Sequence, residues 1–117
     1  MAVQTITDFY DVDDSSKKVT LEMKIGFGQP AASRVFIDYS PIGGQKQNDF
    51  SVELGTNKSL KDTKLIINTS VWDLQDATDR TSVTVKLDGG IHSYERTSEC
   101  SVSEQGGVAI YIVTIYF

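Results

Sequence analysis

The chain has 117 residues, 39% hydrophobic and 23% charged, with a formal net charge of −5. That length fits one domain, residues 1–117, and leaves no room for two. The mixture is too apolar for a disordered chain, and the acidic balance disfavours nucleic acid and anionic lipid surfaces as partners. One cysteine, Cys100, excludes an intramolecular disulfide framework.

The first eight residues lack the basic start and apolar core of a signal peptide. The expectation is a cytoplasmic protein for the chain as it stands, and an extracellular or periplasmic one if a leader has been removed. Residues 5–10 carry a weak strand pattern. Residues 18–27 carry the clearest one, where Val19, Leu21, Met23, Ile25 and Phe27 alternate with Lys18, Thr20, Glu22, Lys24 and Gly26. Successive strand side chains point to opposite faces, so this segment reads as a strand with one dry and one wet face. Gly26, inside that run, predicts a bulge.

The same period-two pattern returns at residues 33–39, with Val35, Ile37 and Tyr39 on one side, and at 50–54, with Phe50, Val52 and Leu54. Residues 63–74 are rich in β-branched side chains and apolar on both faces, which predicts a central strand. Residues 81–87 alternate cleanly through Val83, Val85 and Leu87. Residues 92–102 are a weaker candidate. The final run, 108–117, is again apolar on both faces. Turn residues separate the runs: Gly28-Gln29-Pro30, Pro41-Ile42-Gly43-Gly44, the hairpin signal Asp88-Gly89-Gly90, and Gly106-Gly107. No segment longer than about ten residues has a helical period, and residues 74–78 have room only for a short turn.

Roughly seven or eight strands, spaced about 8–15 residues apart, predict an all-β fold: a two-sheet antiparallel sandwich with hairpin and Greek-key links. The architecture is immunoglobulin-like or fibronectin-like, without the Cys-Trp-Cys spacing of true immunoglobulin domains. No apolar run approaches the ~20 residues of a membrane helix.

Catalytic chemistry has little to draw on. The only histidine, His92, lies near a turn and reads as an exposed strand-end residue, and no nucleophile elbow or phosphate-cradling glycine loop occurs. Zinc is disfavoured by one Cys and one His. The chain is therefore expected not to be an enzyme and to need no cofactor. Asn57 and Asn68 each open an Asn-x-Ser/Thr triplet, a match that chance explains.

Acidic clustering is the sharpest positive feature. Asp8, Asp11, Asp13 and Asp14 form one group; Asp73, Asp76 and Asp79 form another. Calcium takes six to eight hard oxygen ligands, which loop carboxylates supply. Val71-Trp72-Asp73 followed by Asp76 and Asp79 resembles the calcium loop of C2-type sandwiches, although those loops set their first two acids one residue apart and here two residues intervene. The resemblance implies a calcium-dependent lipid- or carbohydrate-binding domain using these three aspartates. The commoner role of loop aspartates is to cap turns. The alternation from Ala109 through Tyr111, Val113 and Ile115 to Phe117 resembles the closing strand of an outer-membrane barrel, but Lys18, Glu22 and Lys24 oppose a lipid-facing surface.

Trp72, Tyr94, Tyr111 and Tyr116 are candidates for a ligand or partner surface, because aromatic rings with a polar edge suit interfaces. The best expectation is a non-enzymatic binding or structural module that works through protein contacts, in a homo-oligomer or a larger assembly. The two-sided C-terminal strand motivates it, since both faces need cover.

Overall fold

The structure, a computed structural model, describes residues 1–117 and is nearly all β. In chain order the strands are β1 (Ala2–Phe9), β2 (Lys18–Ile25), β3 (Ala31–Ile37), β4 (Ser40–Pro41), β5 (Lys46–Gln47), β6 (Phe50–Thr56), β7 (Lys64–Trp72), β8 (Arg80–Asp88), β9 (Tyr94–Ser101) and β10 (Val108–Tyr116). A single turn of helix, α1 (Asn57–Leu60), follows β6. The first sheet has the order β1-β10-β7-β3, with short β4 and β5 paired to β3; the second has the order β6-β2-β8-β9. The two pack face to face as the expected sandwich. No helix is long and apolar enough to cross a membrane.

Alternation builds the layers. β2 buries Val19, Leu21 and Met23, β8 buries Val83, Val85 and Leu87, β7 buries Leu65, Ile67 and Val71, and β10 buries Ala109, Tyr111, Val113 and Ile115. The two inner faces meet in one core of 20 residues. Each large apolar side chain contributes about 1.5–3 kcal/mol on burial, against about 0–1 kcal/mol for an exposed ion pair. The fold therefore rests on the two-residue pattern and not on the charges.

Five local features differ from the sequence expectations. β1 runs parallel to β10, from Ala2 opposite Ala109 to Phe9 opposite Tyr116; alternation is the same in either direction, so periodicity does not reveal it. β2 stops at Ile25, and Phe27 leaves the strand in a left-handed conformation (φ 58°) with its ring under the Arg80 guanidinium. β3 stops at Ile37, because Asp38 is left-handed (φ 52°), and this turns Tyr39 out to 79% exposure.

The bulge falls on β6 rather than at Gly26: Val19 pairs with Gly55 and Thr20 with Glu53, leaving Leu54 extra. Gly26 instead lies so close to the Ser82 side chain that no Cβ fits. Helix α1 is held by reciprocal caps, Ser59 N–H to Thr56 Oγ1 and Thr56 N–H to Ser59 Oγ. Four residues are too few for periodicity to register.

The expected hairpin joins β8 to β9. Gly89 takes φ +103° against the Lys18 carbonyl, and Gly90 seats against the Tyr10 ring with no room for a side chain. Along the same edge of the sandwich, β1 is tied to β9 by Asp8, which accepts from Tyr94 Oη at 2.9 Å and Arg96 Nη1 at 3.3 Å.

Candidate binding face

β7 and β10 sit in the middle of the first sheet, so their inward residues enter the core and their outward residues form a second surface. Strand pairing arranges that surface in rows. Val3, Ile110, Ser70 and Ala32 form one row. Thr5, Ile112, Asn68 and Arg34 form the next, then Thr7, Thr114, Ile66 and Phe36. Phe9, Tyr116 and Lys64 close one end, and Val108 with Trp72 closes the other. No element of the chain covers these rows.

None of the sixteen acidic side chains points outward from this face. Its two cations are in different situations. Lys64 Nζ lies 3.2 Å from Tyr39 Oη and 4.8 Å from the centre of that ring. Arg34 makes no ion pair or hydrogen bond, whereas Arg80 pairs with Glu99 and Arg96 with Asp8. Beside Arg34 is a hollow of about 200 Å³, floored by Ala32 and Ser70 and rimmed by Arg34, Gln45, Asn68 and Trp72.

The outward face of the second sheet is the opposite kind of surface. Lys18 pairs with Glu53 at 3.3 Å, Lys24 with Glu22 at 3.6 Å, Lys86 with Glu95 at 3.3 Å, and Arg80 with Glu99. Thr84 and Thr97 hydroxyls meet across β8 and β9 at 2.8 Å. Such a face is satisfied by water and by its own charges.

The four aromatic candidates separate. Trp72 and Tyr116 both lie on this acid-free face, at opposite ends, Trp72 beside the hollow and Tyr116 with its ring 5.6 Å from that of Phe9. Tyr94 faces inward at the β1–β9 edge, edge-on to Tyr10, and burial together with the Asp8 hydrogen bond pushes its hydroxyl up to about 12. Tyr111 is fully buried, so it is a core residue and not part of a surface. Burial first, then the Cys100 thiol at 3.4 Å, raises its phenol well above the ordinary range.

The three candidate calcium ligands rim one hollow of about 420 Å³ in the loop after β7. They do not act alike. Asp73 is buried, and its Oδ1 accepts from Gln29 Nε2 at 3.1 Å. Asp76 is exposed and accepts from Gln105 Nε2 at 3.2 Å. No three His, Cys, Asp or Glu side chains converge at metal-ligand spacing. In the other acidic group, Asp13 caps the Ser15 N–H at 2.8 Å and Asp14 pairs with Lys61 at 2.9 Å. His92 lies in the β8–β9 turn, its ring packed against Tyr10 at 5.3 Å.

Arg34, Asn68, Ile110 and Ile112 are the face residues that sequence reading did not single out. The available signal was the pair of two-sided apolar segments, which marks adjacent central strands with an uncovered outer side. Two buried amides were also missed. Gln29 ties Asp73 to the loop after β7, and Asn57 Nδ2 donates to the carbonyls of Lys17 and Gly89, both at 2.8 Å. Compared with known proteins, the chain matches no family model, no curated protein and no solved structure.

Proposed function

We propose that this protein is a non-enzymatic binding module that docks a protein partner on the outward face of its first sheet. The observation that carries the reading is the asymmetry between the two outer faces. One is laced with ion pairs; the other holds Val3, Ile110, Ile112, Ile66, Phe36 and Trp72 with no acid among them. Four strands about 4.8 Å apart and about 28 Å long present roughly 540 Å², polar positions included. That is about two thirds of the ~800 Å² that each partner gives to a standard interface.

Selection of random displayed peptides against the wild-type protein tests this reading, with counter-selection on Ile110→Lys/Ile112→Lys. Peptides that bind the wild type and lose the double variant support it. Binders indifferent to the double variant, or none, overturn it.

A calcium-dependent lipid- or carbohydrate-binding domain is the second reading, because Asp73, Asp76 and Asp79 rim one hollow. No three acidic side chains converge there at metal-ligand spacing, which makes it the weaker of the two.

A further inference from the structure

We infer that the hollow beside Trp72 anchors a carboxylate side chain of an acidic protein partner. The inference rests on the docking role proposed above for this face, and adds to it the partner's chemistry and the point of attachment.

Arg34 carries the argument. Its guanidinium presents five donors in a planar fork that matches a carboxylate in bidentate fashion, and no carboxylate of this chain occupies it. Asn68 is directly opposite Arg34 across the β3–β7 pairing, and Gln45 stands on the rim of the same hollow, so two amides are placed to supply further donors. The floor is low because Ala32 and Ser70 are paired small residues; larger side chains there would fill it. The rim on one side is the partly exposed Trp72 indole, an apolar wall beside the guanidinium.

Size and charge select the occupant. A hollow of about 200 Å³ suits one side chain, and is below the roughly 300–1,000 Å³ of sites that enclose a small-molecule ligand. Val108, Ile110 and Ile112 on the adjoining strand β10 are apolar and suit the flanking side chains of a peptide better than the hydroxyls of a sugar. A second copy of this chain on the same face would bring another Arg34 and another Lys64 and no acid to meet them. Charge complementarity therefore points to a different, acidic partner.

The peptides selected on the wild-type protein serve as probes. Enriched sequences are expected to share an acid at a fixed position. Replacing it by its amide should weaken binding by up to about fivefold, or about 1 kcal/mol. The same replacement should have no effect on binding to Arg34→Gln, a variant that disturbs no internal contact. Peptides that need Ile110 and Ile112 but share no acid, or that bind equally well as the amide, overturn the anchor and leave the docking face standing. Absence of any face-dependent binder overturns both. Saturable binding of glucuronate at the hollow, or dimerisation in light scattering that Ile112→Lys abolishes, would assign the hollow to a sugar or to a second copy and overturn the acidic-partner assignment.

Discussion

The Tyr111 hydroxyl lies 2.7 Å from Thr81 Oγ1, joining β10 of one sheet to β8 of the other in the middle of the core. Thr81 Oγ1 donates to the Cys100 carbonyl at 3.0 Å, so it accepts from the phenol. Tyr111→Phe keeps the ring and removes that donor together with the weak contact to the Cys100 thiol, while Thr81 retains its bond to the carbonyl. The expected cost is about 1 kcal/mol. It should appear as a lower urea midpoint with an unchanged slope. An unchanged midpoint would mean that the phenol contributes nothing.

Asp8 links the two sheets at an edge instead of through the core. Burial raises its pKa, but the Phe9 N–H, the Tyr94 hydroxyl and Arg96 outweigh that and hold the carboxyl below its usual range. A depressed folded-state pKa gives stability that is present above the unfolded value of 3.8 and lost as pH falls through the folded one. Asp8→Asn should therefore destabilise the protein near neutral pH by up to about 1 kcal/mol, the range for exposed pairs. The two proteins should converge as pH falls below 3.8 and through the lower folded-state value. A gap that persists undiminished into strong acid would show that charge is not the cause.

Alkaline behaviour follows from three tyrosines. Tyr10, Tyr94 and Tyr111 all have raised pKa values, each with burial as the leading cause. Between the ordinary phenol value of 10 and the folded value of about 12 at Tyr94, the unfolded chain has already lost a proton that the folded chain retains. In that window stability falls with rising pH, and below it the contribution is fully present. Ultraviolet absorbance titration of the folded protein should show Tyr10, Tyr94 and Tyr111 ionising above the ordinary phenol value of 10. Ionisation of all three near the ordinary value would refute the buried geometry.

What was legible follows from the range of the signals. Alternation at Val19, Leu21 and Met23 or at Val83, Val85 and Leu87 is a local pattern forced by a half-buried strand, so the layers could be read directly. The outward row of β10 was legible for the same reason, as an apolar run on both faces. The parallel β1–β10 pairing, the Asp8–Tyr94 link and the meeting of Arg34 with Asn68 join residues far apart in the chain, and no local period encodes such neighbours. Tyr111 shows the converse limit. Its residue type suggested a surface, while its phase in the alternation, shared with Ala109, Val113 and Ile115, placed it in the core. Asp73 likewise shares an inward phase with Val71, which accounts for its burial beneath Gln29.

Gln29 separates the two functional readings. Its Oε1 accepts from the Leu74 and Gln75 N–H groups at 2.9 and 3.0 Å, and its Nε2 donates to Asp73 Oδ1 and to the Arg80 carbonyl. Gln29→Leu would leave a buried carboxylate and two loop amides without this partner, at an expected cost of about 3 kcal/mol or more. The same contact opposes calcium, because it occupies one of the two Asp73 oxygens where no three acidic side chains converge. Millimolar calcium is therefore expected to leave the melting temperature unchanged. A ligand at a hundred times its Kd adds about 2.7 kcal/mol to folded-state stability, enough to raise the melting temperature by several degrees. A rise of that size, abolished by Asp76→Asn, would transfer the function from the face around Trp72 to the loop after β7.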